Sequence, residues 1–378
     1  MDISFKFDPE ILIGADTLSM AGTIASRHGS RIMVAADRTL EAHAVNRLKE
    51  ILEDSRLEAI IFDGIEEEST VEMAENIVEL SCAAHCDAII GFGGLNTQII
   101  ARMAAIMAPT RISSYELLDG RSNQNKFVPL LAIPTEGMNA FSLTKFFIAA
   151  DPRSRMIKTA ASPENLYTAV IIDTGLLKFL SANNAAASVL EGFFNAIEAY
   201  CSSKANFFSD TVLEKALSFY AKLLKGPVDA VNGFSAELFA QANFLCAIGS
   251  AVSSPGIGAA LSAAINARSP AAKTQCSAAL FPHIAERLVS ARPEKMARTS
   301  SLLSNVKAVS TSEAASACTD NIRKIMTAFN IPQDLKSYNI TLDRITAAAE
   351  TARNLDFTAN SPWPVAEGDI FKILKEIL

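Results

Sequence analysis

The sequence predicts a doubly wound α/β domain with a parallel sheet, followed by an all-helical domain. Short apolar runs of strand length recur through the first half of the chain, and stretches with helical spacing separate them. Buried apolar strands that alternate with helices are typical of parallel sheets, because the helices cover both faces of the sheet. After about residue 180 the chain becomes rich in Ala, Leu, Phe and Ser, and few strand-like runs remain.

Five apolar runs give the predicted strands of the first domain. They are residues 31–36, 59–63, 88–94, 130–135 and 168–173. Helical spacing separates the second run from the third, with apolar or small residues at Val71, Ala74, Ile77, Val78 and Ser81. The sheet therefore has its strands joined by helical crossovers, which bring the strand ends and their loops to one edge.

The second half of the chain shows helical spacing throughout, as at Leu213, Ala216, Leu217 and Tyr220. Glycines and prolines divide it into segments of ordinary helix length at Gly226-Pro227, Pro255-Gly256, Ser269-Pro270 and Ile331-Pro332. With 378 residues the chain is long enough for two domains, which we place at residues 1–180 and 181–378.

The composition excludes several classes of protein. The net charge is −7, and basic residues are scattered among acidic ones, so a nucleic-acid surface is not expected. Apolar runs stay below the ~20 residues that cross a bilayer, and the N-terminus lacks the pattern of a signal peptide, so no membrane contact is expected and the cytoplasm is the expected location.

Cysteine and histidine come close together once, at Cys82, His85 and Cys86. Three ligands with no second cluster do not complete a tetrahedral metal site. The three residues lie on an apolar stripe, which favours packing over metal binding.

Several short segments, in order along nearly the whole chain, carry a family resemblance. The main ones are Gly91-Phe92-Gly93-Gly94, Ile133-Pro134-Thr135, Ala196-Ile197-Glu198-Ala199-Tyr200, Phe281-Pro282-His283-Ile284 and Asn360-Ser361-Pro362-Trp363-Pro364. Through them the chain resembles the iron-containing alcohol dehydrogenases, relatives of dehydroquinate synthase and glycerol dehydrogenase. The resemblance implies a Rossmann-like first domain, a helical metal and substrate domain, a helix start at 281–284, and a homodimer. By analogy, a strand from Ile3 to Phe7 helps the dimer to form.

The resemblance places NAD or NADP at the strand ends of the first domain. Gly93 and Gly94 form a strand-to-helix turn whose N–H groups can approach a diphosphate, and Pro134 and Thr135 begin the family's other nucleotide loop. Asp37 ends the first predicted strand, where a carboxylate can accept hydrogen bonds from ribose hydroxyls. Because a phosphate on that ribose would meet like charge, we expect NAD rather than NADP. Two alternatives stay open: a turn or cap role for Asp37, and a tight turn without nucleotide at Gly93-Gly94.

The nucleotide loops also depart from the family pattern. Leu95 and Gln98 replace the serine and the aspartate that usually follow the glycines. Glu136, Met138 and Phe141 lie where the family has small residues, so crowding and extra negative charge are expected near a diphosphate.

The family holds iron or zinc with one aspartate and three histidines, and this chain lacks those histidines. The resemblance places Glu191 and Asn195, four residues apart on one helix, at the first two ligand positions and Lys273 near the last. The remaining position falls within 256–262, which has no histidine, and His283 is the one histidine beyond residue 180. Amide and ammonium groups are poor ligands for a transition metal, so no bound iron or zinc is expected.

Lys273 and Glu191 are the candidate catalytic residues. An ammonium at the position of a metal ligand can act as the electrophile, with Glu191 tuning its charge. The alternative is a surface lysine that pairs with Glu191 in a salt bridge.

Two functions follow from these observations. The first is a metal-independent, NAD(P)-linked oxidoreductase that acts on a small alcohol or carbonyl compound. The second is a catalytically silent family member that binds or regulates, because the metal ligands and the small residues of the nucleotide loop are both missing.

Overall fold

The computed structural model describes residues 6–66, 70–121, 126–179, 182–225, 235–269, 271–304, 310–336 and 340–377. Its strands are β1 (Glu10–Gly14), β2 (Arg31–Asp37), β3 (Glu58–Ile65), β4 (Ala88–Gly93), β5 (Leu130–Pro134), β6 (Phe146–Asp151), β7 (Met156–Ala161) and β8 (Tyr167–Asp173). Six of them form one sheet in the order β1-β8-β5-β4-β2-β3, with every neighbouring pair parallel, and β6 and β7 form a separate two-stranded sheet.

The helices that accompany the sheet are α1 (Ala21–Ala25), α2 (Ala42–Asp54), α3 (Met73–Ala83), α4 (Leu95–Met107) and α5 (Ser114–Leu118). Those of the second half are α6 (Ala182–Cys201), α7 (Phe207–Leu224), α8 (Ala236–Ser253), α9 (Ile257–Asn266), α10 (Lys273–Ala291), α11 (Pro293–Leu303), α12 (Thr311–Ala328), α13 (Leu342–Arg353) and α14 (Glu367–Glu376). The described parts of 182–377 contain no strand. The predicted fold class, a parallel α/β domain followed by an all-helical one, is confirmed.

All five predicted strands are present in the six-stranded sheet, as β2, β3, β4, β5 and β8. Alternate residues of β2 belong to different cores: Ile32 and Val34 pack on one face of the sheet, and Met33 and Ala35 pack on the other. Apolar residues on both faces are what a sheet covered by helices on two sides requires. Both sets are fully buried.

Some local predictions lie partly or wholly outside the described residues. The predicted strand from Ile3 to Phe7 lies mainly outside the described residues, and Lys6 and Phe7 are in no strand. Gly226-Pro227 and Pro270 are also outside the described residues. The pair Cys82 and Cys86 packs partly buried against a core cluster, in keeping with the predicted packing role.

The expectation that Phe281-Pro282-His283-Ile284 begins a helix is wrong, because these residues lie in the middle of α10. The helix begins at Lys273, where the Gln275 side chain accepts the Ala272 backbone N–H, and Pro282 is accommodated inside it. Proline inside a helix removes one backbone hydrogen bond and its ring crowds the carbonyl of residue i−4, so packing around Pro282 must offset this cost. Ala279, Leu280, Phe281 and Pro282 are all buried.

The chain divides into two compact units. The first comprises residues 1–138, 145–154 and 158–179, and the second comprises 139–144, 155–157 and 180–378. Two short segments of the first half of the sequence therefore belong to the helical unit. No single helix among the described residues is long and apolar enough to cross a membrane; α8 and α9 reach that size only as a pair bent by 110°.

Candidate functional site

The glycine turn of the first unit joins the end of β4 to the start of α4. Gly93 has φ +153°, and a β-carbon there would lie 2.5 Å from the Asp37 β-carbon, so both its backbone conformation and its neighbour favour glycine. Gly94 is the N-cap of α4 with φ −71°, a conformation that any residue can adopt. The first-turn amides of the 13-residue helix, which have no acceptor within the helix itself, follow directly, beginning at Leu95.

Asp37 ends β2 beside this turn. Its Oδ1 accepts hydrogen bonds from the Thr39 backbone N–H at 2.9 Å and from the Thr39 hydroxyl at 2.8 Å, and its Oδ2 lies 3.4 Å from the Thr97 hydroxyl. One carboxylate oxygen thus forms the turn that the sequence left open as an alternative. The structure brings Asp37, Gly93 and Gly94 together.

Gln98, which departs from the family's aspartate, has a structural role at the same edge of the sheet. Its amide nitrogen lies 2.9 Å from the Gly91 carbonyl oxygen, 3.2 Å from that of Gly93 and 3.2 Å from that of Ile133. It therefore ties the carboxyl end of β4 to that of β5. Thr135 adds to this link, since its N–H donates to the Gly93 carbonyl at 3.1 Å.

Glu136 reaches back from the end of β5 to the glycine turn. Its Oε2 accepts a hydrogen bond from the Leu95 backbone N–H at 3.3 Å, and a β-carbon on Gly94 would lie 2.8 Å from the carboxylate carbon. The expected negative charge is thus placed directly on the helix start. Met138 and Phe141, expected to crowd the loop, are each 5% exposed, and Phe141 meets Phe357 edge to face at 5.3 Å.

The second unit holds the residues that the family resemblance assigns to metal-ligand positions. Glu191 and Asn195 lie on α6, and Lys273 is the first residue of α10. The Lys273 Nζ lies 2.7 Å from Glu191 Oε1, and both side chains are only 16% exposed. The Glu191 oxygen is not in hydrogen-bond geometry, so the contact is an ion pair held mainly by Coulomb attraction. Water screens this attraction less than at the surface, because both side chains are largely buried.

Packing between α6 and α10 sets this contact. The rings of Phe194 on α6 and Phe281 on α10 stack at 3.9 Å with an interplanar angle of 10°. Next to Glu191, Gly192 leaves room for Tyr220, because a β-carbon at 192 would lie 2.5 Å from the Tyr220 hydroxyl oxygen. The buried Tyr220 hydroxyl donates to Asn243 Oδ1 at 2.6 Å, which fixes α7 and α8 behind the same turn of α6.

These residues do not match the donor set of a catalytic iron or zinc site. Glu191 supplies a carboxylate, but Asn195 supplies an amide and Lys273 an ammonium. Where described side chains do group as possible metal ligands, they are His283, Glu286 and Glu376, elsewhere on α10 and on α14. His283 pairs with Glu376 at 2.6 Å, and Glu286 pairs with Arg323.

Glu198 has a role that the sequence does not reveal. Its buried carboxylate accepts the backbone N–H groups of Gly258 at 2.7 Å and Ala259 at 2.8 Å, at the start of α9. Ser361 accepts the neighbouring N–H of Ile257 at 3.2 Å. Burial raises the pKa of Glu198 to about 7, although the hydrogen bonds from these amides favour the ionised carboxylate and act to lower that pKa. Two of the family-like segments therefore fix the start of α9, within the segment to which the resemblance assigns the remaining ligand position.

The structure combines a parallel α/β unit, with a glycine turn at its strand ends, and a helical unit that follows it. Residues 8–174 match the family model "Iron-containing alcohol dehydrogenase", and residues 185–378 match the C-terminal model of the Fe-containing alcohol dehydrogenase family. The chain belongs to the iron-containing alcohol dehydrogenase family, and it is an oxidoreductase of the type that acts on alcohols or aldehydes.

Individual relatives are distant but match along nearly their full length. A 1,3-propanediol dehydrogenase of Citrobacter freundii is 23% identical over 92% of this chain and 91% of its own. A crystal structure of 1,3-propanediol oxidoreductase superposes with a TM-score of 0.92 at 23% identity, covering all of both chains. A sulfoacetaldehyde reductase of Bifidobacterium kashiwanohense, in complex with NAD+, has a TM-score of 0.85 at 16% identity, covering 100% of this chain and 99% of its own.

Proposed function

We propose that the protein is a metal-independent, NAD(P)-linked reductase or dehydrogenase of a small carbonyl compound or alcohol. The observation that carries the proposal is the ion pair between Lys273 and Glu191, 2.7 Å apart at positions where the family resemblance expects metal ligands. A cation built into the protein at that place offers an electrophile without a metal.

The first unit is the proposed nucleotide site. Gly93 and Gly94 would bind the diphosphate at the start of α4, and Asp37 would bind the ribose hydroxyls. Pro134 and Thr135 would begin the second nucleotide-binding loop beside them. The NAD+ complex of the sulfoacetaldehyde reductase, which shares the fold, supports this assignment. The carboxylate of Asp37 favours NAD over NADP. A bound nicotinamide supplies the hydrogen and the electron pair of the reaction.

The second unit is the proposed site of the substrate's reacting oxygen. The Lys273 ammonium would donate a hydrogen bond to a carbonyl oxygen and stabilise the negative charge that grows on it during reduction. Lys273 can then deliver a proton to that oxygen and regain one from water. Glu191 is a positioning residue that holds the ammonium in place through the 2.7 Å ion pair.

The proposal includes the absence of a resident transition metal. We expect elemental analysis of protein purified without chelators to give far less than one equivalent of iron or zinc. We also expect EDTA to leave the melting temperature and the activity unchanged. Near-stoichiometric iron or zinc that is lost together with activity would contradict this part of the proposal.

The central experiment combines ligand binding with variants of Lys273. In a thermal-shift titration with NAD, NADH, NADP and NADPH, NADH should raise the melting temperature most, because a ligand of the native state stabilises it by mass action. Against a panel of small aldehydes and ketones, Lys273→Met should lower kcat by about 100-fold or more and leave NADH affinity unchanged, while Lys273→Arg keeps part of the activity.

Two outcomes would overturn the proposal in different ways. If Lys273→Met reduces the carbonyl compounds at the wild-type rate, Lys273 is not the electrophile. A wild type that binds no nucleotide and reduces no member of the panel would favour the silent binding or regulatory protein. The proposed homodimer is a separate expectation, tested by light scattering coupled to size-exclusion chromatography.

A further inference from the structure

The amides at the start of α4 already have an anionic partner within the chain. The Glu136 Oε2 accepts the Leu95 N–H at 3.3 Å, and the whole carboxylate lies over Gly94, whose missing side chain leaves room for it. A carboxylate is a natural ligand of a helix N-terminus, because it meets both the free N–H groups and the positive end of the helix dipole.

A nucleotide diphosphate would need the same amides and the same space. A β-carbon on Gly94 would come within 2.8 Å of the carboxylate, so the surface over Gly94 that a phosphate would approach is occupied by Glu136. The two groups are both negative, and they cannot share the position.

We infer that Glu136 competes with the diphosphate of the nucleotide and sets the affinity of the site. This inference rests on the proposed function, because it takes a nucleotide diphosphate to be the ligand at the start of α4. Glu136 is exposed, so its side chain can turn away into water when a diphosphate arrives. Binding then includes the loss of the Leu95–Glu136 contact and the repulsion between a nearby carboxylate and the phosphates.

The geometry separates Glu136 from the other acidic groups of the site. Asp37 Oδ1 is engaged by Thr39, and the Asp37 carboxylate contacts Thr97 rather than the first amides of α4. Glu66 is paired with Arg38 on a neighbouring loop at 2.5 Å. Within the described residues, Glu136 is the carboxylate shown on the Leu95 amide.

The test compares wild type with Glu136→Gln, which keeps the length of the side chain and removes its charge. Calorimetric titrations use three probes: NADH, ADP and adenosine. We expect Glu136→Gln to bind NADH and ADP about fivefold more tightly or better, and adenosine with unchanged affinity, because adenosine has no phosphate to compete. Glu53→Gln is the matched control: it removes one exposed carboxylate at the end of α2 and should bind all three probes as wild type does.

The possible failures are distinct. If wild type binds NADH but Glu136→Gln binds NADH and ADP no more tightly, the competition is wrong while the nucleotide site stands. If Glu53→Gln gives the same gain, the effect is one of net charge and the specific role of Glu136 is wrong. If neither wild type nor Glu136→Gln binds NADH or ADP, the proposed function fails and the inference fails with it.

Discussion

The glycine turn of the first unit and the ion pair of the second both place a charged side chain of the protein where the family resemblance expects a ligand. Glu136 puts a negative charge on the start of α4, and Lys273 puts a positive charge next to Glu191 on α6. The two differ in burial: Glu136 is exposed, whereas Lys273 and Glu191 are each 16% exposed. An exposed group can give way to an external ligand, but a largely buried pair is part of the packed structure.

The largest effect is expected at the glycine turn itself. Gly94→Val should weaken NADH binding by more than about 100-fold, because a branched side chain would cover the amides that a diphosphate approaches. The fold should persist, since φ −71° suits any residue and the exposed Glu136 can move. The thermal shift with NADH measures the loss. Gly368→Val is the control, because a β-carbon there would meet no atom within 4 Å apart from its chain neighbours and the backbone of its own helix. Unchanged NADH affinity in Gly94→Val would place the nucleotide elsewhere.

A second prediction concerns the largely buried ion pair between Lys273 and Glu191. Glu191→Ala should lower the free energy of unfolding of the helical unit by about 3 kcal/mol, because it leaves an unpaired ammonium partly buried at the unfavourable, positive end of α10. Adding Lys273→Met should recover much of that loss. Urea denaturation followed by circular dichroism provides the measurement.

An exposed pair serves as the reference for that prediction. Glu58→Ala breaks the exposed ion pair with Arg31 and should lower the free energy of unfolding by less than about 0.5 kcal/mol. If Glu191→Ala costs no more than Glu58→Ala, the contrast in burial has no energetic weight and the pair is a surface salt bridge.

The last prediction is the pH dependence of stability that Glu198 causes. Its pKa is about 7 in the folded protein against an ordinary value of 4.5, so between these pH values the folded state holds a proton that the unfolded state has lost. Stability should therefore fall as pH rises from 4.5 to 7, by at most about 1.4 kcal/mol per pH unit from this group. Glu198→Gln should flatten that part of the profile of melting temperature against pH. The exposed Glu294→Gln should keep the wild-type profile, and a Glu198→Gln profile as steep as wild type would contradict the assignment.

The main strands could be predicted because their signal is local. Buried strands such as 31–36 and 168–173 consist of consecutive apolar residues, and such runs need no knowledge of their neighbours. The edge strand β1 (Glu10–Gly14) was not predicted, since it is only partly buried and its one partner, β8, lies more than 150 residues away. The helix start at 281–284 was expected from the family resemblance and not from a local pattern, and it is wrong because α10 continues through Pro282.

The candidate sites were predictable to different extents for a similar reason. The closeness of Lys273 and Glu191 followed from the order of family-like segments, although only the structure gives their distance and burial. The contact of Glu136 with Leu95 depends on how the loop after β5 turns back to β4, and the partners of Glu198 are backbone amides of Gly258 and Ala259. Backbone amides leave no trace in a sequence pattern, so neither contact could be read from side-chain types.

The exposure of Glu136 also has a kinetic consequence. Exposed side chains change rotamer within picoseconds to nanoseconds, far faster than a nucleotide at ordinary concentration arrives at or leaves a site. The carboxylate therefore releases and recaptures the Leu95 amide many times during one encounter. It acts as a rapid pre-equilibrium that divides the intrinsic dissociation constant by the fraction of time the Leu95 amide is released from Glu136, so the apparent affinity falls, and it does not act as a slow gate.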